Sequence, residues 1–337
     1  MGRLSYPNNM QEFRIRFSLP EACRDYLVQC RWPDGFVCPK CSSKKAWLNQ
    51  KRHVFECQKC GRQTSPSTGT IMHRSHLPIQ EWFWAAYLVA THTPGISALQ
   101  LQRQLGIGGY QNAWHLLHRL RRGMVSDTRT KLSGLIEADE SFIGGPAKGK
   151  KGRGVTATEH KSLVVGAVEV LVYQDSEGKR RERAGRLRLS LISDASEKSL
   201  GPFLTRNVDP GSRIRTDGWP GYSETALTDY IHHVRIVGAP QRAHKRFPHI
   251  HRVFGNLKTW LNGTHHGVEP KHLPSYLNEF VFRFNRRNTP MAAFQTLLGI
   301  SSQKKPVSLC ELIPASPGTP YWVTLVYHFL PNSFDLT

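Results

Sequence analysis

Two short words, CPKC (Cys38, Cys41) and CQKC (Cys57, Cys60), constrain this 337-residue chain more than any other feature. Two residues between thiols let both sulfurs of one turn face a single ion. Fifteen residues separate the words, enough for a hairpin that folds the second knuckle onto the first, and AWLNQKRHVFEC alternates as such a hairpin should. Four thiolates close a tetrahedron and leave no open position, so the expectation is one structural Zn2+ held by Cys38, Cys41, Cys57 and Cys60. Six of the seven cysteines crowd into the first sixty residues, which favours a local metal site over a disulfide framework. Cys23 and Cys30, at helical spacing, read as core residues, and His53 as a hairpin surface residue. A unit this small draws its stability from the metal, since ~10 kcal/mol or more of binding free energy is also folding free energy.

Lys and Arg number 46 against 25 Asp and Glu, a formal net charge of +21. Such an excess points to nucleic acid or an anionic membrane surface as partner. The longest apolar stretch, EWFWAAYLVATH, is too short to cross a bilayer, and MGRLSYPNN lacks a signal-peptide core. No membrane role is expected, and the location expected is the cytoplasm. Lys40, Lys44, Lys45, Lys51, Arg52, Lys59 and Arg62 ring the cysteine knuckles, which suits either a DNA-contacting ribbon or a solvated basic face.

From Leu77 the pattern becomes helical. LPIQEWFWAAYLVATHT has Pro78 at a first turn and apolar residues at helical intervals. ISALQLQRQLGI reads as a helix capped by Ser97, GIGGY as a turn, and QNAWHLLHRLRRGM as a second helix with Trp114, Leu117 and Leu120 on one face. A short helix, a glycine turn and a helix ending in Arg119, Arg121 and Arg122 form the pattern of a helix-turn-helix DNA reader, which any three-helix bundle would share.

Acids follow. In KLSGLIEADESFIGG, strand alternation places Glu137 and Asp139 on one face and Glu140 on the other. KSLVVGAVEVLVY and RLRLSLISDAS supply two more strands, the first reached through the basic loop GPAKGKKGRG, making an antiparallel meander. SEKSLGPFLTRNV reads as a helix and SRIRTDGWPGY as a fourth strand ending in Asp217. A strand reached through a crossover helix lies parallel to its partner, which makes Asp139 and Asp217 neighbours if the first and fourth strands pair.

The order of zinc ribbon, helical segment, ExDExFxGG, VVGAVE, TDGWxGY and FxNLKTWLxGTHHGV resembles the insertion-sequence transposases with an N-terminal zinc ribbon and a DDE-type, RNase H-like catalytic domain. The likeness runs to about Gly299. It implies an α/β fold, a mixed sheet flanked by helices, and metal-dependent DNA cleavage at element ends with strand transfer into target DNA. It also implies two catalytic Mg2+ or Mn2+ ions, Asp139 and Asp217 as the first two acids, terminal inverted repeats and target as DNA partners, and a homo-oligomer that joins two ends. The third acid of the pattern, a glutamate seven positions before a basic residue on one helix, is missing. Lys258 supplies the basic residue, and His251 stands seven positions before it, two helical turns away on the same face. His251 is therefore the expected third metal-site residue, Lys258 the DNA contact and Asn256 the second choice. The alternative readings are a zinc-ribbon and helix-turn-helix DNA-binding regulator, or a catalytically inactive transposase relic.

The expected layout is a helix and ribbon over 1–72, a helical DNA-binding segment over 73–126, a catalytic domain over 127–300 and a tail of unknown role over 301–337. Within the third unit, KHLPSYLNEFVFRFN reads as a helix with Phe280, Phe282 and Phe284 as core, followed after Pro290 by a short helix.

Overall fold

The computed structural model describes residues 4–144, 161–235 and 247–312. The loop GPAKGKKGRG and the YWVTLVYHFL stretch of the tail lie outside them.

Helices α1 (Met10–Arg16) and α2 (Pro20–Arg31) come first. Asn9 caps α1 by accepting from the Glu12 N–H at 2.9 Å, and Pro20 opens α2 where a missing N–H costs nothing. Cys23 is buried on α2, as expected of a core residue. The ribbon is an antiparallel sheet of β1 (Ala46–Asn49), β2 (Val54–Cys57) and β3 (Gln63–Thr64) in that order, with the expected hairpin between the first two. Phe36 and Phe55 stack while Trp32 meets both edge-on, which gives the ribbon a small core beside Cys38 and Cys57.

Then come α3 (Ile79–Thr91), α4 (Ala98–Leu105) and α5 (Tyr110–Gly123). Ser97 caps α4 as expected, accepting from the Gln100 N–H at 3.1 Å, and Gly106 ends it in the left-handed region at φ +68°. One element of the DNA-reader expectation is corrected. Arg121 is 1% exposed and its Nε donates to Glu279 at 2.8 Å, while Arg119 donates to the His73 carbonyl; of the three arginines only Arg122 is exposed. Position 121 lies one turn after the buried Leu117, so the apolar stripe of α5 carries it inward.

The second half is built on a sheet of order β6-β5-β4-β7-β8. β4 (Leu135–Ile143), β5 (Ser162–Gln174) and β6 (Arg180–Ile192) form the antiparallel meander read from the sequence. After α6 (Glu197–Asn207), β7 (Arg213–Thr216) pairs parallel with β4. A fifth strand, β8 (Ile231–Val234), pairs parallel with β7 and was not anticipated: IHHV is short, polar and largely exposed at a sheet edge.

Strand alternation splits the core in two. Ile136, Ala138, Val165 and Ala167 pack with Leu200, Phe203 and Leu204 of α6. Val164, Val168 and Leu187 pack on the opposite face with Ile250, Val253, Phe254 and Leu257 of α7 (Pro248–His265). Helix α8 (Leu273–Asn285) turns Phe280 to α7, whereas Phe282 joins Ala293, Phe294, Leu297 and Leu298 of α9 (Pro290–Gln303) in the core of α1 to α5. The helix after Pro290, expected to be short, thus runs for 14 residues and closes the N-terminal helical layer. A last turn, α10, covers Leu309–Leu312.

Candidate active site

Leu135 faces Arg213 and Glu137 faces Arg215 across the parallel pair β4–β7. Two further residues along that register stand Asp139 and, just past the end of β7, Asp217. Alternate residues of β4 then meet α7 in sequence. Glu137 Oε2 accepts from the N–H groups of His249 and Ile250, both at 3.0 Å. Asp139 Oδ2 lies 3.5 Å from His251 Nε2. Ser141 Oγ accepts from Lys258 Nζ at 2.8 Å.

Asp139 is mostly buried, its side chain 17% exposed. Burial, then the charge of Glu140, with lesser effects of Asp217 and Glu137, pushes its carboxyl up to about 7, against the Glu140 N–H that bonds Oδ1 at 2.8 Å. Asp217 is exposed, and its Oδ1 accepts from the Trp219 N–H at 3.0 Å. Burial and then Lys161 lower the pKa of Lys258, while Asp139 opposes the shift. Asn256 comes five positions after His251, about 140° round an α-helix. It lines a separate cleft with Thr93, Trp260 and Arg283. Asp139, His251 and Lys258 thus meet along one side of α7, Asp217 lies close enough to Asp139 to help raise its pKa, and Asn256 faces elsewhere.

Two further residues belong to this neighbourhood. Glu140 points to the other face of β4, but the turn after β7 wraps round to it: Tyr222 donates to Glu140 Oε2 at 2.9 Å. Burial, followed by Asp217, raises the Glu140 pKa, and burial followed by Glu140 raises that of the Tyr222 hydroxyl well above its usual value. The turn is held by Trp219 Nε1 donating to the Ala195 carbonyl at 2.8 Å, and a Cβ on Gly221 would stand 2.1 Å from that same oxygen. The clue in the sequence was the compact word DGWPGY, whose glycine and aromatic residues serve this packing.

Metal fit differs between the two candidate centres. Sγ of Cys38 and Cys60 are 3.6 Å apart, those of Cys41 and Cys57 are 3.5 Å apart, and all four sulfurs lie within 4.8 Å of one another. A tetrahedral Zn2+ with bonds of ~2.3 Å needs sulfurs ~3.8 Å apart, so the four cysteines fit it. His53 stands apart, 3.9 Å from Glu21. At the acids, Asp217 turns to its own loop and the three donors do not close on one point. Their chemistry suits a hard cation nevertheless: burial and then neighbouring carboxylates raise the pKa values of Asp139 and Glu140, and a divalent ion bound there would offset that penalty.

Residues 20–63 match the transposase zinc-ribbon domain, and residues 131–285 match the ISXO2-like transposase domain. The first match spans all four ribbon cysteines; the second runs from just before β4 to the end of α8 and includes Asp139, Asp217, His251 and Lys258. The chain is also 24% identical over 269 residues to "Uncharacterized protein in transposable element ISH50" of Halobacterium salinarum, a match covering 76% of this chain and 88% of that protein. Among the described residues no helix is long and apolar enough to cross a membrane. With the two domain matches together covering more than half of the chain, in the order of the ribbon and the mixed sheet, the protein belongs to the insertion-sequence transposases that carry an N-terminal zinc ribbon and a DDE-type catalytic domain of RNase H-like fold.

Proposed function

We propose that this transposase cleaves DNA at the ends of its element and transfers the freed 3′ ends into target DNA, using Asp139, Asp217 and His251 to hold divalent metal. In the first reaction a water oxygen bonds to phosphorus and the bond to the 3′-oxygen breaks, leaving a 3′-hydroxyl and a 5′-phosphate. In the second that hydroxyl attacks a target phosphodiester, and one P–O bond replaces another. Two Mg2+ or Mn2+ ions bound there would activate the attacking oxygen and stabilise the leaving one. Asp139 and Asp217 contribute the carboxylates and His251 an imidazole nitrogen. Lys258, beside them on α7, offers its ammonium to a DNA phosphate. The exposed arginine of α5, the basic ribbon and the net charge of +21 suit duplex binding. Two element ends must be handled together, so the active form is a homo-oligomer on DNA.

The observation that carries this reading is the buried, charge-crowded carboxylate of Asp139, 3.5 Å from His251 and one strand from Asp217. Its test is cleavage and joining of labelled element ends by wild type, D139N and D217N, with end binding followed by mobility shift. Both variants should bind ends as wild type does and lose cleavage and joining. End binding without cleavage by wild type is the result expected of a purely DNA-binding regulator; that result, or full cleavage by D139N, would overturn the proposal.

A further inference from the structure

A second tier of side chains lies alongside the acids. Glu137 stands two residues before Asp139 on β4, Arg215 two before Asp217 on β7, and His249 two before His251 on α7. Glu137 and Arg215 are direct partners across the parallel strands. Glu182 of β6 joins them: Arg215 Nη1 and Nη2 each lie 3.1 Å from a Glu182 oxygen, Arg215 Nη1 is 3.9 Å from Glu137 Oε1, and His249 Nε2 is 3.8 Å from Glu182 Oε2. Glu137 is 0% exposed, His249 6% and Arg215 9%. Glu137, Glu182 and His249 approach closely enough to hold an ion, but the guanidinium of Arg215 already provides the positive charge among them.

The other oxygen of Glu137 is engaged differently. The first N–H groups of an α-helix have no partner within the helix, and those of His249 and Ile250 belong to the first turn of α7. Phe247, at the N-cap position, has no side-chain acceptor to offer them. Glu137 Oε2 takes both at 3.0 Å from a strand 112 and 113 residues earlier in the chain. A carboxylate at that end also complements the helix dipole.

We infer that Glu137 is the positioning residue of the catalytic centre: by receiving the first N–H groups of α7 it fixes that helix against β4, and so sets His251 beside Asp139 and Lys258 over Ser141. This rests on Asp139 and His251 being metal ligands. What matters is a long side chain with an acceptor oxygen at its tip. The substitution E137Q keeps that oxygen without the charge, while E137D keeps the charge but falls one methylene short.

The test is a Mn2+ titration of the full, zinc-loaded chain followed by electron paramagnetic resonance, with wild type, D139N, E137A, E137Q and E137D, alongside amide exchange at His249 and Ile250. E137A and E137D should bind Mn2+ roughly 10-fold or more weakly and lose protection at the two amides, whereas E137Q should stay within about threefold of wild type. Wild-type Mn2+ affinity in E137A, or rescue by E137D and failure of E137Q, would overturn the inference. Should E137A not fold, the contrast between E137Q and E137D decides it. Unchanged Mn2+ binding in D139N would bring down the metal-site reading itself. Loss in D139N with none in the Glu137 variants brings down only the role of Glu137.

Discussion

In the proposed ligand set, histidine in place of a glutamate would leave the metal site one negative charge poorer and give it a softer nitrogen donor. Mn2+ accepts imidazole more readily than Mg2+ does, so wild type should show a higher ratio of Mn2+- to Mg2+-supported cleavage than H251E. Equal ratios would remove His251 from the ligand set. Two other histidines couple stability to pH. His118 of α5 is fully buried and stacks on Trp114 with ring centroids 3.8 Å apart, and neither of its nitrogens has a partner among the described residues. His265, at the end of α7, packs edge-on against Trp260 and Tyr276. Burial, then Arg121, pushes their pKa values down to about 2 and about 3 from 6.5. The unfolded chain therefore takes up protons below 6.5 that the folded chain refuses, so this stability is present above that pH and is lost as pH falls toward the folded values. Each imidazole can contribute up to about tenfold in the folding equilibrium per pH unit. The urea midpoint should fall steeply from about pH 6.5 to about 4.5, and H118F, which keeps a stacking ring without a titrating nitrogen, should flatten that slope. An identical slope in H118F would show that His118 is not its source.

At the scale of elements, the site depends on how closely α7 lies on the sheet. Gly166 of β5 is the direct partner of Asp139, and a Cβ there would meet Ile250 Cδ1 and Leu189 Cδ2 at 2.9 Å and Phe254 Cζ at 3.1 Å. G166A must displace the helix that carries His251, or distort its side chains, at a cost of about 1–3 kcal/mol. Urea unfolding should register that loss, and end cleavage should drop in protein that is still folded; unchanged cleavage would mean that the site tolerates movement of α7. The same element shows what periodicity can reveal. Seven residues make two turns, so the shared face of His251 and Lys258 was legible in the sequence. That Glu137 caps α7 was not, because the acceptor comes from a strand more than a hundred residues away.

At the scale of the molecule, the helical layer and the catalytic sheet are held together by charges as well as by packing. Arg121 of α5 and Arg283 of α8 share the fully buried Glu279, at 2.8 and 3.5 Å, and Arg283 also donates to the carbonyls of His92 and Thr93 beyond α3. Removing the carboxylate leaves two guanidiniums without their counter-charge. E279A should lose about 3–5 kcal/mol of stability by urea unfolding, and apolar residues at 121, 279 and 283 together should recover much of it. A loss below about 1 kcal/mol would show that the pair is dispensable. The cores follow this joint rather than chain order: Phe294 and Leu297 of α9 pack with Phe13 and Phe83 from the start of the chain.

The sequence by itself determined what local spacing controls. Two knuckles place four sulfurs for one ion, alternation puts Glu137 and Asp139 on one face of β4, and helical repeat aligns His251 with Lys258, because each relation spans only a few residues of regular backbone or one hairpin. Only the tertiary structure decided what depends on meetings between distant segments. It turned Arg121 from an expected DNA contact into half of a buried ion pair, added the polar edge strand β8, wrapped Tyr222 round to Glu140 and brought Glu137 beneath the first turn of α7. Burial and hydrogen-bond partnership are properties of packed surfaces, and no periodicity along one segment specifies which surface it will meet.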